Sequence, residues 1–101
     1  MNLDCIFNPK SVAIVGASTR LGSVGNDLAK NIISEFKGDI YPVNPNATEL
    51  YGKKCYPSLD VLPKTPELIV VAVPASAVIP VMEQAGQMGV KAAVVVSAGF
   101  K

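Results

Sequence analysis

The most restrictive feature of the sequence is an uninterrupted apolar run of largely β-branched residues, from Leu68 to Val73. A strand with no polar position cannot face water on either side, so helices must cover both of its faces. Such strands are typical of parallel sheets in α/β proteins, where a crossover helix follows each strand. The run therefore predicts a central strand of an α/β sheet.

A strand, a helix and a second strand are predicted within residues 11–43. Ser11–Val15 is a short apolar run that indicates a buried strand, and Ser23 is suited to cap the helix that follows. Asp39–Val43 then predicts the second strand. Between them, apolar residues recur at the period of a helix with one buried face: Val24, Leu28, Ile32, Ile33 and Phe36.

A second unit of the same kind covers residues 68–97. Ser76 is the predicted cap of its helix, Gly89 is its predicted end, and Ala92–Val96 is its last strand. Lys54–Tyr56, between the two units, predicts a short edge strand. Right-handed crossovers join such units into a Rossmann-like, doubly wound and mostly parallel sheet. We expect the strand order 3-2-1-4-5, with helices on both faces.

Composition predicts one globular domain over residues 1–101, because 50% of the residues are apolar and 17% are charged. The net charge is +1, with no run of like charge that would attract nucleic acid or an anionic membrane. The longest apolar runs are far shorter than the roughly 20 residues that a membrane helix needs. We therefore expect neither nucleic acid nor a membrane as a partner.

The chain contains no histidine, which excludes histidine-based acid/base or nucleophilic catalysis within these residues. Its two cysteines, Cys5 and Cys55, are fifty positions apart and form neither a disulfide framework nor a metal-ligand pair. Free thiols are expected, as in a reducing cytoplasm. No motif places paired carboxylates, so the sequence predicts no catalytic residue and no metal site.

The loop after the first predicted strand has the features of an anion site. It leaves the strand through Gly16 and enters a helix, so it presents backbone amides and the positive end of the helix dipole. Glycines at 16, 22 and 25 suit a tight turn, a close approach to a ligand and close helix packing. A glycine-rich turn that serves only the fold is the alternative.

A dinucleotide site usually has an acidic residue about 20 residues beyond its glycines, where it binds the ribose hydroxyls. The second strand ends instead at Val43, Asn44 and Pro45. NAD is therefore disfavoured, whereas NADP is less clearly excluded because Arg20 could meet a 2′-phosphate. A ligand with phosphates and no need of a ribose-binding acid fits better.

Six segments in order resemble the amino-terminal CoA-binding domain of ADP-forming acyl-CoA synthetases, relatives of the α subunit of succinyl-CoA synthetase. The acetyl-CoA synthetase α subunit is the most similar type, and the resemblance covers nearly the whole chain. The segments are Ser11–Ser18, Gly22–Gly25, Gly38–Pro45, Tyr56–Leu59, Val71–Ala75 and Val94–Phe100.

The resemblance implies coenzyme A as the cofactor and divides its contacts into three groups. The CoA phosphates are expected along Gly16, Ala17, Ser18, Thr19, Arg20 and Ser23. The nucleotide end is expected beside Val43, Asn44 and Pro45, and the pantetheine arm beside Val73, Pro74, Ser97, Ala98 and Gly99. Relatives often carry a lysine after the Asn-Pro pair, where this chain has Asn46. Backbone amides, Arg20, Lys53 or Lys54 are then expected to meet the phosphate charge.

The resemblance also implies a larger parent enzyme, an acid–thiol ligase that works through an acyl phosphate and a phosphohistidine. That histidine belongs to a later domain, so this chain alone is expected to be a catalytically inert fragment, truncated at its C-terminal end. Its expected partners are the remaining domains or a β subunit with an ATP-grasp module. Ala92–Val96 would then be an apolar edge strand, from which we expect self-association or marginal stability.

Three other readings of the pattern are open. The same domain could serve a protein lysine acetyltransferase or a stand-alone CoA-binding protein. An NAD(P)-dependent oxidoreductase or redox sensor is the alternative from another class, and a purely structural role is the remaining one.

Overall fold

The computed structural model describes residues 8–96, which form six strands, two α-helices and one short 3-10 helix. In chain order these are β1 (Ser11–Val15), α1 (Val24–Glu35), β2 (Asp39–Val43), β3 (Glu49–Leu50), β4 (Lys53–Lys54), the 3-10 helix (Leu59–Val61), β5 (Leu68–Val71), α2 (Ala75–Met88) and β6 (Ala92–Val95).

Four of the strands form one parallel sheet in the order β2-β1-β5-β6. The chain winds from β1 outward to β2 and then crosses back past β1 to β5 and β6. This reversal between β1 and β5 is the defining feature of a doubly wound sheet. The predicted α/β class and the order of these four strands are confirmed.

The predicted edge strand Lys54–Tyr56 does not form in the parallel sheet, so the strand order differs in part from the expected one. Only Tyr56 reaches the sheet, through a single parallel bridge to Val43. Pro57 follows Tyr56 and has no N–H to continue the ladder. Lys53–Lys54 instead pairs antiparallel with β3 in a separate hairpin, so the predicted third strand is reduced to one residue.

A helix covers each face of the sheet, as expected for strands with no polar position. On one face, Val12 and Ile14 belong to a core against which Leu28 and Ile32 of α1 pack, together with Phe36 just after the helix. On the other face, α2 packs through Val78, Val81 and Ala85 over a core that contains six strand residues: Ala13, Val15, Tyr41, Val43, Ile69 and Val71. The buried side chains of both cores confirm the central position of β1 and β5.

The helix boundaries follow local backbone chemistry. Ser23 caps α1 as predicted, because its hydroxyl oxygen accepts the Asn26 backbone N–H at 3.1 Å. The predicted cap Ser76 is wrong: α2 begins at Ala75, and the Pro74 carbonyl accepts the first helical N–H bond, from Ala77. Gly89 ends α2 in the left-handed conformation, with φ of 84°, as predicted.

Strand β6 lies at the edge of the sheet with apolar side chains exposed on both faces. Val94 and Val95 are 41% and 45% exposed in the described part of the chain. Such an edge is open to pairing with another strand. Self-association through it stays a prediction. Over residues 8–96, neither helix is long and apolar enough to cross a bilayer.

Candidate functional site

A cavity of about 380 Å³ opens where β1 and β5 end, at the point where the winding of the sheet reverses. Its position is the crevice that the sequence predicts, and its volume is in the lower part of the roughly 300–1,000 Å³ range of ligand pockets. The residues that line it are Gly16, Ser18, Arg20, Gly22, Ser23, Val24, Gly25 and Ala72.

Gly16 follows β1 directly and packs against Ala72, just after β5, in the lining of the cavity. Its backbone has φ of +95°, a conformation that side chains disfavour. A β-carbon at this position would also overlap the Ala72 carbonyl and crowd Val73. The Gly16 N–H donates to the Val43 carbonyl at 3.3 Å, which ties the turn to β2 as well. The turn therefore requires glycine on both conformational and steric grounds.

The other two glycines of the loop have different tasks. Gly22 has φ of +84° and no heavy atom near the position of a β-carbon, so its requirement is conformational. Gly25 is buried, and a β-carbon there would overlap the Gly16 carbonyl oxygen. Gly25 thus lets the first turn of α1 approach the end of β1, as the sequence predicts.

The helix end offers hydrogen-bond donors to the cavity. Within residues 8–96, no group accepts the backbone N–H of Val24 or Gly25, the first two residues of α1. The helix dipole places partial positive charge at the same point. Arg20 is the charged member of the lining, and no described carboxylate belongs to it. An anion is the ligand that this arrangement favours.

The two serines of the lining differ in what they could offer a ligand. Ser18 Oγ accepts the Arg20 N–H at 3.0 Å, so its own proton stays available for donation. Ser23 Oγ donates to the Arg20 carbonyl at 2.8 Å and accepts from Asn26, so its proton is already committed within the loop. Ser18 is therefore the better hydroxyl donor of the two.

Two asparagine side chains bind carbonyls of the loop. Asn44 Nδ2 donates to the Ala17 carbonyl and Asn26 Nδ2 donates to the Ser18 carbonyl, each at 2.8 Å. These bonds occupy two acceptor oxygens that would repel a phosphate. Sequence reasoning named Asn44 for the nucleotide end of a ligand and missed Asn26, which is 2% exposed. An asparagine in the first turn of a helix was the available signal.

The end of β2 places the second predicted group beside the loop. Val43 is buried: its carbonyl accepts the Gly16 N–H, and it forms a parallel bridge with Tyr56. Pro45 is exposed. The rings of Tyr41 and Tyr56 meet edge to face, 5.9 Å between centroids. Lys54 Nζ lies 5.2 Å from the centre of the Tyr56 ring. Lys54 and its neighbour on β4 are both exposed and do not line the cavity.

The remaining predicted residues that the structure describes lie on the loop after β1 and at the end of β5. Ala17 is buried and contributes its carbonyl to Asn44, and Thr19 is exposed on the loop. Val73 borders Gly16, and Pro74 caps α2. The predicted pantetheine residues Ser97, Ala98 and Gly99 lie outside the described residues, as does Cys5.

Cys55 is buried below the rim, and burial with the nearby Glu49 carboxylate raises the pKa of its thiol. A thiol with a raised pKa is a poor nucleophile at neutral pH. Cys55 is a free cysteine in the described part of the chain, in agreement with the expected plain thiol.

Comparison with known proteins identifies relatives over most of the chain. The CoA binding domain family model matches residues 10–101. The ADP-forming 4-hydroxybutyrate–CoA ligase of Nitrosopumilus maritimus is 40% identical over 95% of this chain and 14% of its own length. The ADP-forming acetate–CoA ligase II of Archaeoglobus fulgidus is 46% identical over 94% of the chain and 14% of its own length.

A solved structure gives the same result for the fold. The dinucleotide-forming acetyl-coenzyme A synthetase 1 of Ca. Korarchaeum cryptofilum, in complex with phosphate and ADP, superposes with a TM-score of 0.90 at 42% identity. The match covers 98% of this chain and 22% of that one. The chain thus spans less than a quarter of each of these relatives. With a parallel doubly wound sheet and a family match over residues 10–101, the chain belongs to the CoA-binding domain family.

Proposed function

We propose that this chain is the CoA-binding domain of an ADP-forming acyl-CoA synthetase and that its glycine loop holds the CoA phosphates. The supporting observation is the cavity at the end of β1, lined by Arg20, by Ser18 with its available hydroxyl, and by Val24 and Gly25, whose N–H groups have no acceptor within residues 8–96. Phosphate oxygens accept from such donors, and no described carboxylate in the lining opposes their charge.

The rest of coenzyme A extends from the loop in two directions in this proposal. The nucleotide end lies toward Val43, Asn44 and Pro45, since the Asn44 side chain already contacts the loop at Ala17. The pantetheine arm lies toward Val73 and Pro74, because Val73 borders Gly16. Ser97, Ala98 and Gly99 are its further contacts in this proposal, on the basis of the family resemblance.

The ligase reaction requires parts that this chain does not supply. The chain has no histidine to carry a phosphoryl group and matches only 14% of the length of two ADP-forming ligases. We therefore assign acyl transfer and nucleotide hydrolysis or synthesis to other domains, or to a β subunit with an ATP-grasp module. Some of the relatives are α subunits, which supports the second arrangement. A cytoplasmic location is consistent with the free thiol of Cys55.

Calorimetric titration of the 101-residue chain tests the proposal. Separate titrations with CoA, NADH, NADPH and pantetheine compare ligands that share some groups and differ in others. We expect saturable binding of CoA at one site, much weaker binding of pantetheine because it lacks the phosphates, and no binding of either nicotinamide nucleotide. Binding of NADH or NADPH without CoA would contradict the proposal. A phosphoryl-transfer assay on the chain alone should show no activity.

A further inference from the structure

Tyr51 lies outside the cavity but is connected to it through a single buried side chain. It occupies the turn of the β3–β4 hairpin, where its φ is +49° and that of Gly52 is +81°. Positive φ at both central residues defines a two-residue turn of the type that matches strand twist. The turn directs the Tyr51 hydroxyl to Asn26 Oδ1, 3.1 Å away and 25 positions earlier in the chain.

Asn26 connects the hairpin to two points of the loop. Its Oδ1 accepts from Tyr51, its Nδ2 donates to the Ser18 carbonyl at 2.8 Å, and its backbone N–H donates to Ser23 Oγ at 3.1 Å. Because it is only 2% exposed, water does not replace these partners. Because the Ser18 carbonyl can only accept, the amide presents Nδ2 to the loop. Oδ1 then faces the hairpin, where the Tyr51 hydroxyl donates to it and holds the side chain in this position.

We propose that Asn26 and Tyr51 are positioning residues for CoA binding, a proposal that rests on the function assigned above. Asn26 holds the Ser18 carbonyl away from the phosphates and keeps the Ser18 hydroxyl in place, and Tyr51 holds Asn26 in the required orientation. The hairpin is thereby coupled to ligand affinity although it contributes nothing to the cavity lining in the described chain. Neither residue has to touch the ligand for this effect.

A double-mutant cycle on CoA affinity tests the coupling. Tyr51→Phe removes only the hydroxyl, and we expect it to weaken CoA binding by about 3- to 10-fold, the effect of one hydrogen bond. Asn26→Ala removes both side-chain bonds and should weaken binding at least as much. In the Asn26→Ala background, Tyr51→Phe should have no further effect, because the bond through which it acts is already absent.

Two matched controls separate this effect from general destabilisation. Asn31→Ala makes the same change at an exposed position of α1, and Tyr41→Phe removes a hydroxyl from a residue packed in the core on the other face of the sheet. Both should bind CoA as the unsubstituted chain does. All titrations are run well below the Tm of each variant, so that the folded fraction does not affect the measured Kd.

The outcomes distinguish this inference from the proposed function. If the unsubstituted chain fails to bind CoA, the proposed function is wrong and the inference falls with it. If the unsubstituted chain binds and Tyr51→Phe binds equally well, the inference alone is wrong. Equal weakening by Tyr51→Phe in both backgrounds would also overturn it, since Tyr51 would then act through another contact.

If Asn26→Ala does not fold, hydrogen exchange of the loop amides in Tyr51→Phe replaces the cycle. Faster exchange there than in the Tyr41→Phe control supports the inference, and equal exchange overturns it.

Discussion

Gly25, in the first turn of α1, packs its α-carbon against the carbonyl oxygen of Gly16, where a β-carbon would overlap that oxygen. This contact determines how closely the helix end approaches the end of β1. Because of it, the start of α1, with N–H groups that have no acceptor in the described residues, and the turn at Gly16 border the same cavity.

Substitution of Gly25 by alanine therefore affects both stability and binding. The added methyl group forces backbone to move, and we expect Gly25→Ala to lower the free energy of unfolding by about 1–3 kcal/mol. Binding of CoA should weaken as well, because the helix end shifts away from the loop. Urea denaturation and calorimetry measure the two effects.

Gly86→Ala is the matched control for this prediction. Gly86 lies inside α2, and a β-carbon there would meet no heavy atom within 4 Å. Alanine is the better helix former, so Gly86→Ala should leave stability unchanged or raise it by up to about 1 kcal/mol. An equal loss of stability in both variants would show that the contact between Gly25 and Gly16 has no special role.

The hydroxyl of Ser18 is expected to contribute to affinity more than to stability. Its proton is available to a phosphate oxygen, whereas its oxygen accepts the Arg20 N–H on an exposed loop. Ser18→Ala should weaken CoA binding by about 1–2 kcal/mol, as for one hydrogen bond to a charged group. Ser34→Ala, an exposed serine of α1, should bind normally. Unchanged affinity in Ser18→Ala would remove Ser18 from the site.

Arg20 supplies the positive side chain of the cavity lining, so CoA binding should weaken as the NaCl concentration rises. Arg20→Ala should lower the affinity at low salt and reduce the salt dependence. Lys91→Ala removes an exposed positive charge at the opposite end of the sheet, just before β6. That control should behave like the unsubstituted chain, and an equal effect of both substitutions would indicate that net charge, and not position, controls binding.

The stability of the chain should decrease at alkaline pH, in part through Cys55. Burial, followed by the Glu49 carboxylate, raises the pKa of this thiol above its ordinary value of 9.0. The unfolded chain therefore loses the proton first as the pH rises, and thiolate formation favours unfolding. The contribution of Cys55 to the free energy of unfolding is fully present below pH 9.0, and it is lost as the pH rises through the pKa of the thiol in the folded chain.

Unfolding in urea at pH 7, 9 and 10 measures this effect. Cys55→Ala should flatten the decrease, although part of it should remain because burial also raises the pKa of Tyr41. A Cys55→Ala variant with the same pH dependence as the unsubstituted chain would contradict the assignment to Cys55.

Much of the fold could be predicted because its strands are buried on both faces. The apolar runs Val12–Val15 in β1 and Leu68–Val71 in β5 have no polar position, and this pattern identifies parallel central strands without knowledge of their neighbours. Gly16 and Ser23 could also be predicted, because a tight turn and a helix cap depend on residues close by in the sequence.

The errors concern segments in which local alternatives compete. Lys53–Lys54 pairs in a hairpin because the turn at Tyr51 and Gly52 brings it back onto β3, which leaves only Tyr56 for the sheet. The helix α2 starts one residue before Ser76 because backbone bonding to Pro74 satisfies its first turn without a side-chain cap.

The connection between Asn26 and Tyr51 was missed for a different reason. It joins two residues 25 positions apart through a short hairpin. Neither residue belongs to a motif, and hydrogen bonds of this kind depend on tertiary packing and not on local pattern. Asn44 lies beside the loop, and its role at the nucleotide end stays a prediction; its contact with the Ala17 carbonyl requires the sheet to be assembled first.

A crystal structure of the chain with bound CoA tests the central claim most directly. We expect phosphate oxygens within hydrogen-bonding distance of the Val24 and Gly25 N–H groups and of Ser18 Oγ, with Arg20 directed toward them. Phosphates bound anywhere other than the cavity at the end of β1, with that cavity filled by the chain's own side chains, would contradict the claim.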